Sequence, residues 1–132
     1  MFSSTEFWSL NAPEQPGFTL TSSPEAISLR IDPTGKAFVK LNAPFWGNSP
    51  ETVVTQIVSE ALTLEPSDVH VGYADTDAGF NGTGPGGSRY TVMVAGAIVS
   101  GVKTLREKLF RIAAHMMECG TGDLELRNGK VG

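Results

Sequence analysis

Apolar and polar side chains alternate between residues 26 and 42. Ile27, Leu29 and Ile31 are separated by Ser28 and Arg30, and the alternation resumes at residues 37–41 after Asp32-Pro33-Thr34-Gly35. Successive strand side chains face opposite ways, so this pattern predicts two strands. The Pro and Gly between them suit a turn, which makes the pair a β-hairpin. The period then changes. Val54, Ile57, Val58 and Ala61 recur at helical spacing, and the helix is expected to run to about Leu64. Ser49 reads as its cap, Pro50 as its first residue and Glu51 as the acid of its first turn. Pro66 forbids continuation. Val69, Val71 and Tyr73 alternate with His70 and Gly72 as a third strand.

A second, longer helix is predicted from a capping Ser88 to about Glu118. Ile98, Val102, Leu105, Leu109, Ile112 and Met116 step by three and four along one face. Residues 92–99 are apolar all round the helix, which predicts burial on every side. Residues 103–111 carry a charged face that should meet water. Gly96 and Gly101 cost about 1 kcal/mol each relative to Ala, a cost that makes sense where another backbone comes close. Gly120 and Gly122 are expected to end the helix. Asn128-Gly129 is a hairpin-type turn with only three residues after it, too few, on this reading, for a returning strand. That abrupt end points to a fragment or to one piece of a split polypeptide.

The predicted architecture is α+β: a β-hairpin and further strands packed with two helices, the second long and largely buried. Residues 26–132 form one domain on this reading. Residues 1–25 form an extended N-terminal segment with Pro13, Pro16 and Pro24. Its aromatics Phe2, Phe7, Trp8 and Phe18 argue for packing across a surface, or against another subunit.

Composition narrows the function classes. The 132 residues carry a net charge of −4 and no basic run, which excludes a general binder of nucleic-acid backbone. The most apolar stretch falls well short of the roughly 20 residues a membrane span needs, and no signal peptide is visible at the N-terminus. Cys119 is the single cysteine, so no internal disulfide can form. A reducing, cytoplasmic setting follows, with Cys119 expected to be a partly buried structural thiol.

The chemistry concentrates in two loops. Residues 75–89 read D-T-D-A-G-F-N-G-T-G-P-G-G-S-R, with five glycines between Gly79 and Gly87. Such a loop lets backbone N–H groups reach a ligand, and the helix behind it adds unpaired donors and a positive dipole end. The pattern suits an anion such as phosphate or pyrophosphate, or else a flexible connector. No Lys follows the glycines, so it is not a P-loop. Pro44-Phe45-Trp46-Gly47-Asn48-Ser49 also feeds a helix start from a strand, and the two starts together suit one ligand held from two sides. Asp75 and Asp77 are read as acceptors for loop amides rather than as an acid/base pair. Arg89 either binds an anion or pairs with one of these aspartates. His70 and His115 are ordinary residues, and no metal-ligand spacing is present.

Taken in order, the landmarks resemble part of the molybdopterin-binding large subunit of the molybdenum hydroxylases, the family of xanthine dehydrogenase, aldehyde oxidase and carbon monoxide dehydrogenase. They are R-I-D-P-T-G-K at 30–36, E-T-V-V-T-Q-I-V-S-E-A-L at 51–62, D-V-H-V-G-Y-A-D-T-D at 68–77 and G-G-S-R-Y-T at 86–91, followed by L-R-E-K-L-F-R-I-A-A-H-M-M-E at 105–118 and D-L-E-L-R-N-G-K-V at 123–131. The resemblance implies that Gly47, Asn48 and Ser49 stand where the family has G-Q-G, whose Gln side chain binds the cofactor. Here Asn replaces Gln, one methylene shorter, and Ser replaces the second Gly. It implies that Gly86, Gly87, Ser88 and Arg89 hold the pterin through backbone amides. The implied cofactor is molybdopterin, with a dinucleotide form left open and the isolated chain without cofactor as the alternative.

The family's catalytic glutamate lies beyond the matched region, so no catalytic residue and no metal ligand is assigned. The implied partners are other segments of the large subunit, an iron–sulfur subunit and a flavin subunit, with a homo-oligomer also open. Two other readings remain at this point: a non-catalytic homologue that keeps the fold without cofactor, and a small nucleotide- or anion-binding α+β domain.

Overall fold

A computed structural model describes residues 2–3, 25–42, 47–73, 75, 77, 85 and 88–132. The elements in chain order are β1 (Phe2–Ser3), β2 (Ala26–Ile31), β3 (Ala37–Leu41), α1 (Pro50–Leu62), β4 (Val69–Tyr73), α2 (Tyr90–Met117), β5 (Leu126–Arg127) and β6 (Lys130–Val131). The first four strands form one sheet in the order β1-β2-β3-β4.

The predicted hairpin is present, with Ile27 opposite Leu41 and Ile31 opposite Ala37. Its turn closes through the Gly35 N–H, which donates to the Asp32 carbonyl at 3.0 Å. The Asp32 side chain accepts from the Thr34 N–H at 2.8 Å and the Thr34 hydroxyl at 2.7 Å. That hydroxyl bond, before the turn amides, holds the exposed Asp32 carboxyl below its ordinary value. β4 joins β3 in parallel, with Ala37 opposite Val69 and Leu41 opposite Tyr73. Parallel neighbours need a crossover, and α1 supplies it.

Both helices cover one face of the sheet. Ala37, Val39 and Leu41 point inward, while Phe38 and Lys40 point away. The core joins Ile27, Val39 and Leu41 of the sheet to Val54, Val58 and Leu62 of α1 and Val94, Ala97, Ile98 and Val102 of α2. This is the two-layer α+β arrangement expected from the hydrophobic pattern. On the outer face the register places Arg30, Phe38 and His70 side by side. The Arg30 guanidinium lies 4.6 Å from the Phe38 ring centre, and that ring stacks on His70 at 4.9 Å. His70 is exposed.

Several expectations need correction. Residues 92–99 are not buried all round: Val92 is 42% and Val99 60% exposed. Among the described residues only one face of α2 meets the sheet and α1, and Val92 and Val99 lie on the other side. The buried residues of α2 lie between Tyr90 and Val102, so the second half meets solvent as its charges suggested. Cys119 is exposed rather than partly buried, because α2 has already ended.

Neither Gly120 nor Gly122 ends α2. Glu118 does so in the left-handed conformation at φ 53°, its N–H donating to the Ala114 carbonyl. Thr63 ends α1 in the same way at φ 52°. A returning strand does form after Asn128-Gly129. Leu126 pairs with Val131 and Arg127 with Lys130, and Glu125 and Gly132 exchange both backbone hydrogen bonds at 2.8 and 3.0 Å. Asn128 at φ 49° and Gly129 at φ 70° make the tight turn that lets so short a hairpin close.

Of the N-terminal segment, Phe2 and Ser3 add an edge to the sheet, pairing with Ile27 and Ala26. The remaining aromatics of that segment lie outside the described residues.

Candidate functional site

β3 and β4 run side by side in the same direction, so their carboxyl ends lie together at Leu41 and Tyr73. Each end leads into one of the two loops singled out above, and each loop leads into a helix. The crevice beyond the carboxyl ends of neighbouring parallel strands is where open α/β sheets hold ligands. The two helix starts also meet: Pro50, Val53 and Val54 of α1 line one small crevice with Tyr90, Thr91 and Val94 of α2. Two loops far apart in sequence therefore depart from one end of the sheet.

Neither serine caps its helix through its side chain. Ser49 precedes α1 in the left-handed conformation, φ 46° and ψ 52°, with no side-chain bond to the helix. Ser88 takes φ 57°, and the residue at the cap of α2 is Arg89, again without a side-chain cap. A left-handed conformation costs a non-glycine residue about 1–2 kcal/mol. Such outliers gather at ligand sites because the path of the chain matters there. Gly47 also has positive φ, at 83°. Ser49 thus takes a backbone conformation that favours glycine.

The first bond within α2 runs from the Met93 N–H to the Arg89 carbonyl at 3.0 Å. The Thr91 and Val92 N–H groups consequently have no acceptor within the helix. The dipole end of each helix adds partial positive charge at its start. That donor set fits an anionic, hydrogen-bond-accepting cofactor.

Arg89 pairs with neither Asp75 nor Asp77. Its Nη1 donates to Glu25 Oε1 at 2.5 Å, with Arg89 3% and Glu25 0% exposed. Asn42 Nδ2 donates to the other carboxylate oxygen, Glu25 Oε2. The guanidinium of Arg89 is thus turned into the protein. Asp75 behaves as read, accepting from the Asp77 N–H at 3.1 Å. Gly86, Gly87 and residues 43–46 and 78–84 lie outside the described residues. Among the described residues no group of His, Cys, Asp and Glu is placed to hold a metal ion.

Glu25 and Asn42 were not singled out by sequence. A carboxylate just ahead of an apolar strand looks the same whether its partner is water or an arginine 64 residues away. Nor was the bond between the Tyr73 hydroxyl and Glu51 Oε2, at 3.0 Å, which ties the end of β4 to the first turn of α1. Burial pushes the Tyr73 phenol above its ordinary value, and the Glu51 hydrogen bond and charge add to the effect. A raised pKa in the fold means that this contribution is complete below the unfolded value near 10 and is lost as pH rises through the folded one. The stability gap between the wild type and Tyr73→Phe should therefore shrink above about pH 10. Urea denaturation from neutral to alkaline pH measures it, and a gap that is constant or widening there contradicts the assignment.

Comparison with known proteins places this geometry in a family. Residues 4–132 match the molybdopterin cofactor-binding domain. The chain is 33% identical over 105 residues to the 6-hydroxypseudooxynicotine dehydrogenase complex subunit gamma of Paenarthrobacter nicotinovorans, an overlap of 80% of this chain and 13% of that protein. It is 32% identical over 101 residues to the carbon monoxide dehydrogenase large chain of Afipia carboxidovorans, covering 76% of this chain and 12% of the relative.

Among solved structures, quinoline 2-oxidoreductase from Pseudomonas putida 86 superposes with a TM-score of 0.72 at 32% identity, over 81% of this chain and 14% of that one. Carbon monoxide dehydrogenase from Oligotropha carboxidovorans gives 0.70 at 32% identity, over 76% and 13%. The chain thus spans roughly an eighth of the length of these relatives, several of which are named as subunits or chains of larger assemblies. The matched span contains both loops and both helix starts, and the chain belongs to the molybdopterin cofactor-binding domain family of the molybdenum hydroxylases.

Proposed function

We propose that the chain supplies two adjoining loops of the molybdopterin cleft in a molybdenum hydroxylase and acts only when assembled with the rest of that enzyme. The observation that supports this reading is that both loops depart from the adjoining carboxyl ends of β3 and β4. Gly47, Asn48 and Ser49 form one side of the cleft, and Gly86, Gly87 and Ser88 the other. Arg89 contributes through its backbone, since its side chain is held by Glu25. The left-handed residues at positions 47, 49 and 88 turn the chain so that amide groups of the helix starts meet the anionic part of the cofactor.

When bound, molybdopterin carries the metal that hydroxylates a substrate carbon with oxygen derived from water. The chain's own residues bind and orient the cofactor and keep its anionic groups out of bulk solvent. The reading takes in partners as well: further segments of a large subunit, an iron–sulfur subunit that carries electrons away and a flavin subunit. The reading takes in a cytoplasmic setting; among the described residues no helix is long and apolar enough to cross a membrane.

The test is to tag the chain in its host, purify it with whatever it binds, and measure molybdenum and pterin. Both are expected in amounts near one per copy of the chain. A purified assembly containing neither would retire the reading.

A further inference from the structure

We propose that Glu25 is the positioning residue that sets the two cofactor loops at their working distance from one another. The proposal rests on the molybdopterin reading above and adds to it a residue that lies outside both loops. Glu25 is fully buried immediately before β2. Its Oε1 accepts from Arg89 and its Oε2 from Asn42. Asn42 directly follows β3, where the loop of Gly47, Asn48 and Ser49 departs. Arg89 is where the glycine-rich loop ends and α2 begins. One carboxylate therefore holds the root of one loop with one oxygen and the root of the other with its second oxygen.

Three features make this more than a general fold staple. The contacts fall at the two loop roots rather than between the centres of elements. A carboxylate is rigid and planar, so the directions of its two acceptor sites are fixed relative to one another. Holding Arg89 inward also keeps its strong positive charge from competing with the helix-start amides for the anionic ligand. The ligand is then met by backbone donors whose positions the loop roots determine. A shift at either root would move one set of donors relative to the other, and small displacements of binding groups are costly.

The test uses the chain in the assembly purified from its host. Two variants are compared with the wild type: Glu25→Gln, which keeps the shape and one acceptor, and the double variant Glu25→Leu/Arg89→Leu, which removes both charges of the pair together. Hydrogen exchange is read at amides 47–49 and 88–92, with amides 97–105 inside α2 as the internal control. In the double variant both loop-root segments should exchange at least about ten-fold faster while the control stays protected. Glu25→Gln should fall between it and the wild type. Pterin content of the double variant should drop by more than about half, in line with looser positioning of the binding groups.

The double variant decides the matter. Wild-type exchange at either loop root overturns the proposal, as does loss of protection in the control segment, which would make Glu25 a general stabiliser. A wild-type assembly without pterin would remove the cofactor reading, while the exchange comparison would still judge Glu25.

Discussion

Replacing Arg89 with alanine is expected to destabilise the chain by about 3–5 kcal/mol, the cost of removing one member of a buried ion pair. Glu25 has no exposed surface and Arg89 almost none, so water cannot replace the lost guanidinium. Total stabilities of domains run at about 5–15 kcal/mol, so the variant should show a large loss in midpoint during urea denaturation followed by circular dichroism. Removing both charges tells a different story. Buried ion pairs replaced by apolar residues of similar volume are often neutral or stabilising. Glu25→Leu/Arg89→Leu should therefore recover most of what Arg89→Ala loses. If Arg89→Ala costs under about 1 kcal/mol, in the range of a solvent-exposed pair, the buried pair is not formed as described.

The second large effect lies in the core. Ile98 is completely buried and belongs to the cluster shared by the sheet, α1 and α2. Truncation to alanine removes three carbons and leaves a cavity, at a cost of about 2–5 kcal/mol. Val99, one residue on, is 60% exposed, and Val99→Ala should stay within about 0.5 kcal/mol. The contrast between neighbours is the informative part, because both residues belong to the run whose sequence predicts burial on every side. Equal losses at the two positions would mean that the outer face of α2 is covered as well. Equilibrium denaturation of the two variants under identical conditions supplies the comparison.

Much of the fold was legible because strands and helices stamp their periods on the sequence. The alternation in residues 26–42 and 69–73 and the steps of three and four in residues 54–61 and 98–116 identify elements that the structure contains. The two loops were legible as well, since glycines ahead of a helix start are a chemical signal in themselves. The backbone conformations at the helix ends were not. Ser49, Thr63, Ser88 and Glu118 all take positive φ, a conformation that local preference reserves for glycine. The final hairpin was missed for a related reason: two residues are too short a strand to show a period.

The sequence by itself determined the α+β class, the order of the main elements, the two loops and the family. Each depends on local spacing or on an ordered set of motifs. Only the tertiary structure decided that the loops share one end of the sheet, because parallel pairing of β3 with β4 joins residues about thirty positions apart and leaves no local trace. Only the tertiary structure turned Arg89 inward to Glu25. Burial of a charge depends on what surrounds it in space, and a sequence records neighbours along the chain alone.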